Sequence, residues 1–188
     1  MEPALFIMTG MVVMLFLVFL RHRYFGFLSQ TPTDYADAGG PSFDLQRDLN
    51  GPILCEGVIY GPMGRVQSRF VGHFDASWDG DSGVMRERFE YDNGEVQFRE
   101  WRLKIGQDGA IEARADDVEG VGRGTQSGPS VQLRYRLRLP EDAGGHVLDA
   151  VDWMYLAPNG TIVNRSQFRK FGIRVVELVA TMRKKETA

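Results

Sequence analysis

Cysteine is nearly absent from this chain. Cys55 is the only one among 188 residues, which excludes an intramolecular disulfide and any metal site built from several thiolates. A lone thiol sits more easily in a reducing compartment than in an oxidising one. Histidine is also scarce. His22, His73 and His146 are far apart in sequence, so no metal-ligand spacing is present and no metal is expected. Basic charge is not in excess: 22 Lys and Arg stand against 25 Asp and Glu, for a net charge of −3. Nucleic acid is therefore not an expected partner. The chain lacks a P-loop, a G-x-S-x-G elbow and an H-E-x-x-H pair, so no catalytic residue and no cofactor is assigned. Gly120, Gly122 and Gly124 imitate a phosphate loop but do not stand between a strand and a helix start. Alternating glycines of a barrel strand are the preferred reading. No repeat of 20–50 residues occurs, and the body shows no long helical periodicity.

What is present is a chain able to fold, with 43% hydrophobic and 25% charged residues. Residues 4–20 carry no charge, and their length is at the short end for a bilayer-spanning helix. A secretory signal would have basic residues before the apolar run and a small-x-small site after it. Here Glu2 precedes the run, and Arg21, His22, Arg23, Tyr24 and Phe25 follow it. An uncleaved single-pass anchor in the inner (cytoplasmic) membrane is the expectation. Arg21 and Arg23 favour a cytoplasmic domain, with the periplasmic side as the alternative. Residues 1–28 are read as anchor, 29–42 as a Pro/Gly/Thr-rich linker, and 43–185 as the folded domain.

The domain is punctuated at near-regular intervals. The turn signals are Gly61-Pro62, Asp79-Gly80, Asn93-Gly94, Asp108-Gly109, Gly128-Pro129, Gly144-Gly145 and Asn159-Gly160. Between them lie stretches rich in Val, Phe, Tyr, Trp and Leu. Val131, Leu133, Tyr135, Leu137 and Leu139 alternate with Gln132, Arg134, Arg136 and Arg138, the pattern of a strand with one wet face. Phe70, Phe74 and Trp78 share parity with the small residues Ser68, Gly72 and Ala76, which suits a bent barrel strand. Residues 43–49 read as one or two helical turns. The expected fold is all-β: an antiparallel meander of about nine or ten strands closing into a lipocalin-like barrel, preceded by one transmembrane helix. A two-sheet sandwich is the alternative.

Residues 148–156 are the unusual segment. Either face of this strand carries an acid, Asp152 on one and Asp149 on the other, and a carboxylate on an apolar face needs a partner or a raised pKa. Asp152 is read either as a barrel-lining acid paired with an arginine or as the base of a ligand pocket. If the Asn159-Gly160 turn closes a hairpin, facing residues sum to about 319, which sets Asp152 within reach of Arg165 and Arg169. Trp101, Arg102, Trp153, Tyr155, Asn164, Arg165 and Lys170 complete the ligand-binding candidates. Together these segments suggest a lumen that contains ion pairs. The arginine stripe on residues 134, 136 and 138 is read as solvated and paired across strands, or as a contact to lipid phosphates.

Several ordered motifs resemble those of a bacterial domain family of unknown function. They are Phe43-Asp44-Leu45, Leu49-Asn50-Gly51-Pro52, Ser77-Trp78-Asp79-Gly80, Trp101-Arg102-Leu103, Asp152-Trp153-Met154-Tyr155-Leu156, Asn164-Arg165-Ser166 and Lys170-Phe171-Gly172. The residues 89–95 and 117–122 belong to the same series, and the resemblance spans about residues 43–183. It implies a lipid context, because members include lipoproteins and their genes lie near fatty-acid-modifying enzymes resembling cyclopropane-fatty-acid synthase. This chain has an apolar anchor where lipoprotein relatives have an acylated cysteine. The expected function is a membrane-anchored domain that binds or presents a lipid or other amphiphile, with a lipid-modifying enzyme as a possible partner. An enzyme using Asp152 as acid or base, and a structural subunit of a lipid-modifying complex, are the alternatives.

Overall fold

The computed structural model describes residues 2–185, without the side chains of Glu2, His22, Arg23 and Asp142. Arg23, one of the two arginines behind the expected orientation, therefore falls outside the described side chains. Helix α1 (Glu2–Tyr24) contains a segment, Pro3–Arg21, long and apolar enough to cross a membrane, none of it covered by the rest of the protein. A four-residue helix, α2 (Leu45–Asp48), follows, opened by the Asp44 carboxylate, which accepts from the Arg47 N–H at 3.0 Å.

Ten antiparallel strands come next: β1 (Gly51–Tyr60), β2 (Val66–Asp79), β3 (Ser82–Tyr91), β4 (Val96–Ile105), β5 (Ala110–Arg114), β6 (Gly122–Ser127), β7 (Ser130–Arg138), β8 (Val147–Leu156), β9 (Ile162–Lys170) and β10 (Ile173–Lys184). Each pairs with its neighbours in sequence, and β10 returns to β1 to close the barrel, from Ile53 opposite Lys184 to Tyr60 opposite Glu177. The expected meander is thus borne out as an up-and-down barrel, and closure leaves no sheet edge. Alternation sorts the side chains. Phe70, Phe74 and Ala76 of β2 and Val131, Leu133 and Tyr135 of β7 point into the core. The arginines of β7 lie outside, where Arg136 and Arg138 both meet Glu119. Gly122 and Gly124 fall in β6, where a Cβ on Gly124 would meet the Gln132 carbonyl at 2.3 Å. They are close-packing glycines of a barrel strand.

One end of the barrel is plugged. Phe43, Leu45 and Leu49 are buried in the core there, and Trp78 Nε1 donates to the Leu49 carbonyl at 2.7 Å. The other end, the mouth, carries the β1–β2, β3–β4, β5–β6, β7–β8 and β9–β10 connections, and Ala115 and Val118 of the β5–β6 connection pack into the core there.

The segment 29–42, expected to be a linker, is seated on the outer wall. Tyr35 packs edge-on against Trp153 and Tyr155, with ring centroids 5.3 and 5.5 Å apart. Gln30 Oε1 accepts from the Tyr155 hydroxyl at 2.7 Å. Phe27 is buried against Val151 and Trp153. Gly128 is needed for this crossing: it has φ +51°, and a Cβ there would lie 2.0 Å from the Tyr35 carbonyl oxygen.

Candidate functional site

The barrel encloses a cavity of about 130 Å³. Its wall is mostly apolar, and the plug residues Leu45 and Leu49 contribute to it. Six polar side chains, Glu87, Arg99, Tyr135, Asp152, Asn164 and Ser166, enter from five strands because each occupies the inward parity of its strand. Glu87 stands between Met85 and Phe89, Arg99 precedes Trp101 and Leu103, Tyr135 follows Leu133, and Asp152 faces Ser166 across the β8–β9 pair. Arg99 is the central cation. Its guanidinium lies 4.1 Å from the Trp101 ring centroid and 5.6 Å from that of Tyr135, and its Nε donates to Asp117 Oδ1 at 3.1 Å. The Trp101 and Tyr135 rings meet edge to face at 5.2 Å.

The electrostatics follow from burial. Desolvation pushes the Glu87 carboxyl up to about 7; Arg99 opposes the shift, while Asp152 and Asp117 add to it. Asp152 is raised for the same reason, and the neighbouring Ser166 and Tyr135 hydroxyls and the Arg99 charge offset only part of it. Burial likewise drives the Tyr135 phenol well above its ordinary value. It also works against the charge on Arg99, but Tyr135, Glu87 and Asp117 outweigh it and keep the guanidinium protonated. The cavity therefore holds one firm cation, with acids pushed toward their neutral forms.

Two of these groups are not fully satisfied. Asp152 Oδ1 is buried without a hydrogen-bond partner. Arg99 Nη2 is 3.0 Å from Asp117 Oδ1, but its angle leaves the N–H unbonded. Buried polar atoms are rarely left so. Among the described residues, no group of His, Cys, Asp and Glu could hold a metal ion.

Of the residues singled out from sequence, Trp101, Asp152 and Asn164 line the cavity. Asn164 Nδ2 donates to the Trp153 carbonyl at 3.1 Å, and its Oδ1 accepts from Ser166 Oγ at 3.2 Å. The others lie elsewhere. Arg102 is on the outside, 2.8 Å from Glu100. Trp153 and Tyr155 are on the outer wall beneath Tyr35. Arg165 pairs outside with Glu177 at 2.6 Å and lies 5.0 Å from the Phe27 ring. Lys170 is at the mouth.

The expected partnership of Asp152 with Arg165 or Arg169 is not formed. The hairpin register places Asp152 opposite Ser166, so facing residues sum to 318. That single step puts both arginines on the opposite face. The cation near Asp152 is instead Arg99, from across the barrel. Glu87, Arg99, Tyr135 and Ser166 were not singled out. Glu87 and Arg99 left a signal, a charged residue in phase with large apolar ones. Tyr135 did not, because it reads as one more apolar residue of its strand.

Fold and cavity together define a small, closed up-and-down barrel of the lipocalin-like kind, with polar groups inside and an apolar helix in front. The chain belongs to the DUF3833 family, proteins of unknown function, whose model matches residues 23–184. No curated protein matches it. Among solved structures, it is similar to the S-type phycobiliprotein lyase CPES from Guillardia theta, at 10% identity and a TM-score of 0.56, covering 77% of this chain and 92% of that one. It is also similar to Rv2717c from M. tuberculosis, at 14% identity and a TM-score of 0.55, covering 76% of this chain and 97% of that one. At such identities the likeness is one of fold.

Proposed function

We propose that this protein is a membrane-tethered binding barrel for a lipid or other amphiphile. The observation that carries the reading is the pair of unsatisfied polar atoms, Asp152 Oδ1 and Arg99 Nη2, on residues that line a cavity whose wall is mostly apolar. An apolar segment would fill the cavity, and a polar group able to accept from Arg99 and bond to Asp152 would satisfy both atoms. The enclosed space is close to the ~150 Å³ that accepts a benzene-sized guest. A long amphiphile therefore places only part of itself there. Helix α1 would anchor the barrel in the cytoplasmic membrane, with Arg21 and Arg23 holding it on the cytoplasmic side. The family context makes a lipid-modifying enzyme the partner to look for.

A second reading, an enzyme acting on lipid, is favoured by the Glu87 carboxyl. An acid poised near neutrality beside Asp152 is suited to proton transfer, and a lyase is among the proteins sharing the barrel.

Titrating the solubilised full chain with a nitroxide-labelled fatty acid tests the leading reading, because Trp101 lines the cavity. Saturable quenching that is lost in Trp101→Phe is expected, with the fatty acid recovered chemically unchanged. Chemical conversion of the fatty acid would favour the enzyme. The absence of saturable quenching would contradict both readings.

A further inference from the structure

Phe171, at the tip of the β9–β10 hairpin, is 90% exposed and has a positive φ of 51°. Lys170 pairs with Ile173, so Phe171 and Gly172 form a two-residue turn in which both φ values are positive. Asn or Gly is the ordinary occupant of that first position. A large aromatic held there is strained backbone that projects an apolar ring into solvent. The strand pairing of β10 with β1 sets the β1–β2 tip beside it. That tip carries Met63, 85% exposed, and Val66, while Ile173 on the first hairpin is 68% exposed. Lys170, whose ammonium lies 5.6 Å from the Phe171 ring centroid, and Arg65 on the other tip have no acidic partner among the described residues. Apolar side chains flanked by free cations are the composition that seats at a bilayer interface with anionic headgroups. The other connections at this end are acidic: β3–β4, beside the exposed Phe98, bears Asp92 and Glu95, β5–β6 bears Asp116, Asp117 and Glu119, and β7–β8 bears Glu141, so the basic, apolar character is confined to the two adjacent tips.

The path of the chain points the same way. Going back from Tyr35 to Phe27, it climbs the outer wall from Tyr155 to Val151, away from the plugged end and toward the mouth. Phe27 lies against Arg165 of β9, the strand that ends at the Phe171 tip. From Gln167, opposite Val151, to that tip is about 13 Å along the strand. The anchor helix therefore leaves the barrel on the wall whose mouth end carries the exposed tips.

We propose that the β1–β2 and β9–β10 tips insert into the interface of the bilayer that holds helix α1, so that the barrel leans onto an anionic membrane by this edge of its mouth, with the acidic connections turned away. The inference rests on the membrane tether of the proposed function but not on any ligand in the cavity. Its test is spin-label depth measurement on the full chain in phosphatidylcholine–phosphatidylglycerol nanodiscs. Phe171→Cys and Met63→Cys report the two tips, and Asn159→Cys, in the β8–β9 turn at the plugged end, is the control. Cys55 is buried, and its thiol, pushed up to about 12, stays unlabelled. Labels at 171 and 63 are expected to relax mainly with oxygen, and the label at 159 mainly with a water-soluble nickel chelate. Either tip label behaving like the one at 159 overturns the proposal, and Met63→Cys tests it without disturbing the strained turn. Mass spectrometry of bound lipid in the same samples reads the cavity separately, so the two ideas can fail independently.

Discussion

Glu87 enters the barrel at the inward parity of β3, between Met85 and Phe89, and Arg99 and Trp101 make up only part of the hydration it loses. Its folded-state pKa of about 7 lies above the value near ~4.3 of an exposed glutamate. The native state therefore binds the proton more tightly than the unfolded chain does. The stability from this group is fully present below the unfolded value and is lost as pH rises through about 7. Full loss is on the order of 3 kcal/mol. Glu87→Gln should melt close to the parent at about pH 5 and clearly above it at about pH 8; a constant difference across that range would remove Glu87 from this role. Asp152 gives a different expectation. Because Oδ1 has no partner and burial already favours the neutral acid, Asp152→Asn should change stability by no more than about 1 kcal/mol. It should nonetheless weaken quenching by the nitroxide-labelled fatty acid several-fold. A large fall in thermal stability with binding intact would make Asp152 a structural residue.

The outer wall of β8 shows where elements, rather than single residues, decide the outcome. Trp153 is fully buried although it faces away from the core, because residues 27–35 cover it. The segment 29–42 reads as a linker from its Thr, Pro, Asp and Gly, and composition does not register that Phe27 and Tyr35 have an aromatic shelf to land on. The barrel itself was legible, since period-2 alternation and spaced turn residues specify a meander, and the apolar face of β7 follows directly from its sequence. The register of β8 against β9 was not legible. A five-residue connection from Ala157 to Thr161 allows neighbouring registers, and one step exchanges Gln167 for Ser166 opposite Asp152 and turns Arg165 and Arg169 to the other face. Glu87 and Arg99 face each other across the β3–β4 hairpin, whereas Asp152 of β8 meets them only across a closed barrel, which no local pattern reveals. Phe27→Ala should cost about 3 kcal/mol and open residues 29–42 to protease, as read by melting and by limited proteolysis of the full chain. Unchanged cleavage kinetics would show that the segment is not held by this contact.

At the scale of the molecule, three features point in one direction: an apolar helix, a seated strap that delivers it to the barrel wall, and a cavity with unsatisfied polar atoms inside a closed sheet. Sidedness is tested apart from binding. If the proposed orientation holds, with the Arg21 flank on the cytoplasmic side, a cysteine placed at the exposed Asp37 should react with an impermeant maleimide only after cells are lysed. Equal labelling of intact and lysed cells would put the barrel on the outer side. The most direct test of the central claim, that the cavity is a binding site, is native mass spectrometry of the full-length protein gently extracted from membranes, beside Arg99→Met. That variant loses the cavity's firm cation and its contact with Asp117, at about 2 kcal/mol of stability, and should still fold. The parent should carry one amphiphile per chain, released on collisional activation, and the folded variant should be empty. A parent spectrum showing only the bare chain mass, or equal lipid on both proteins, would contradict the account.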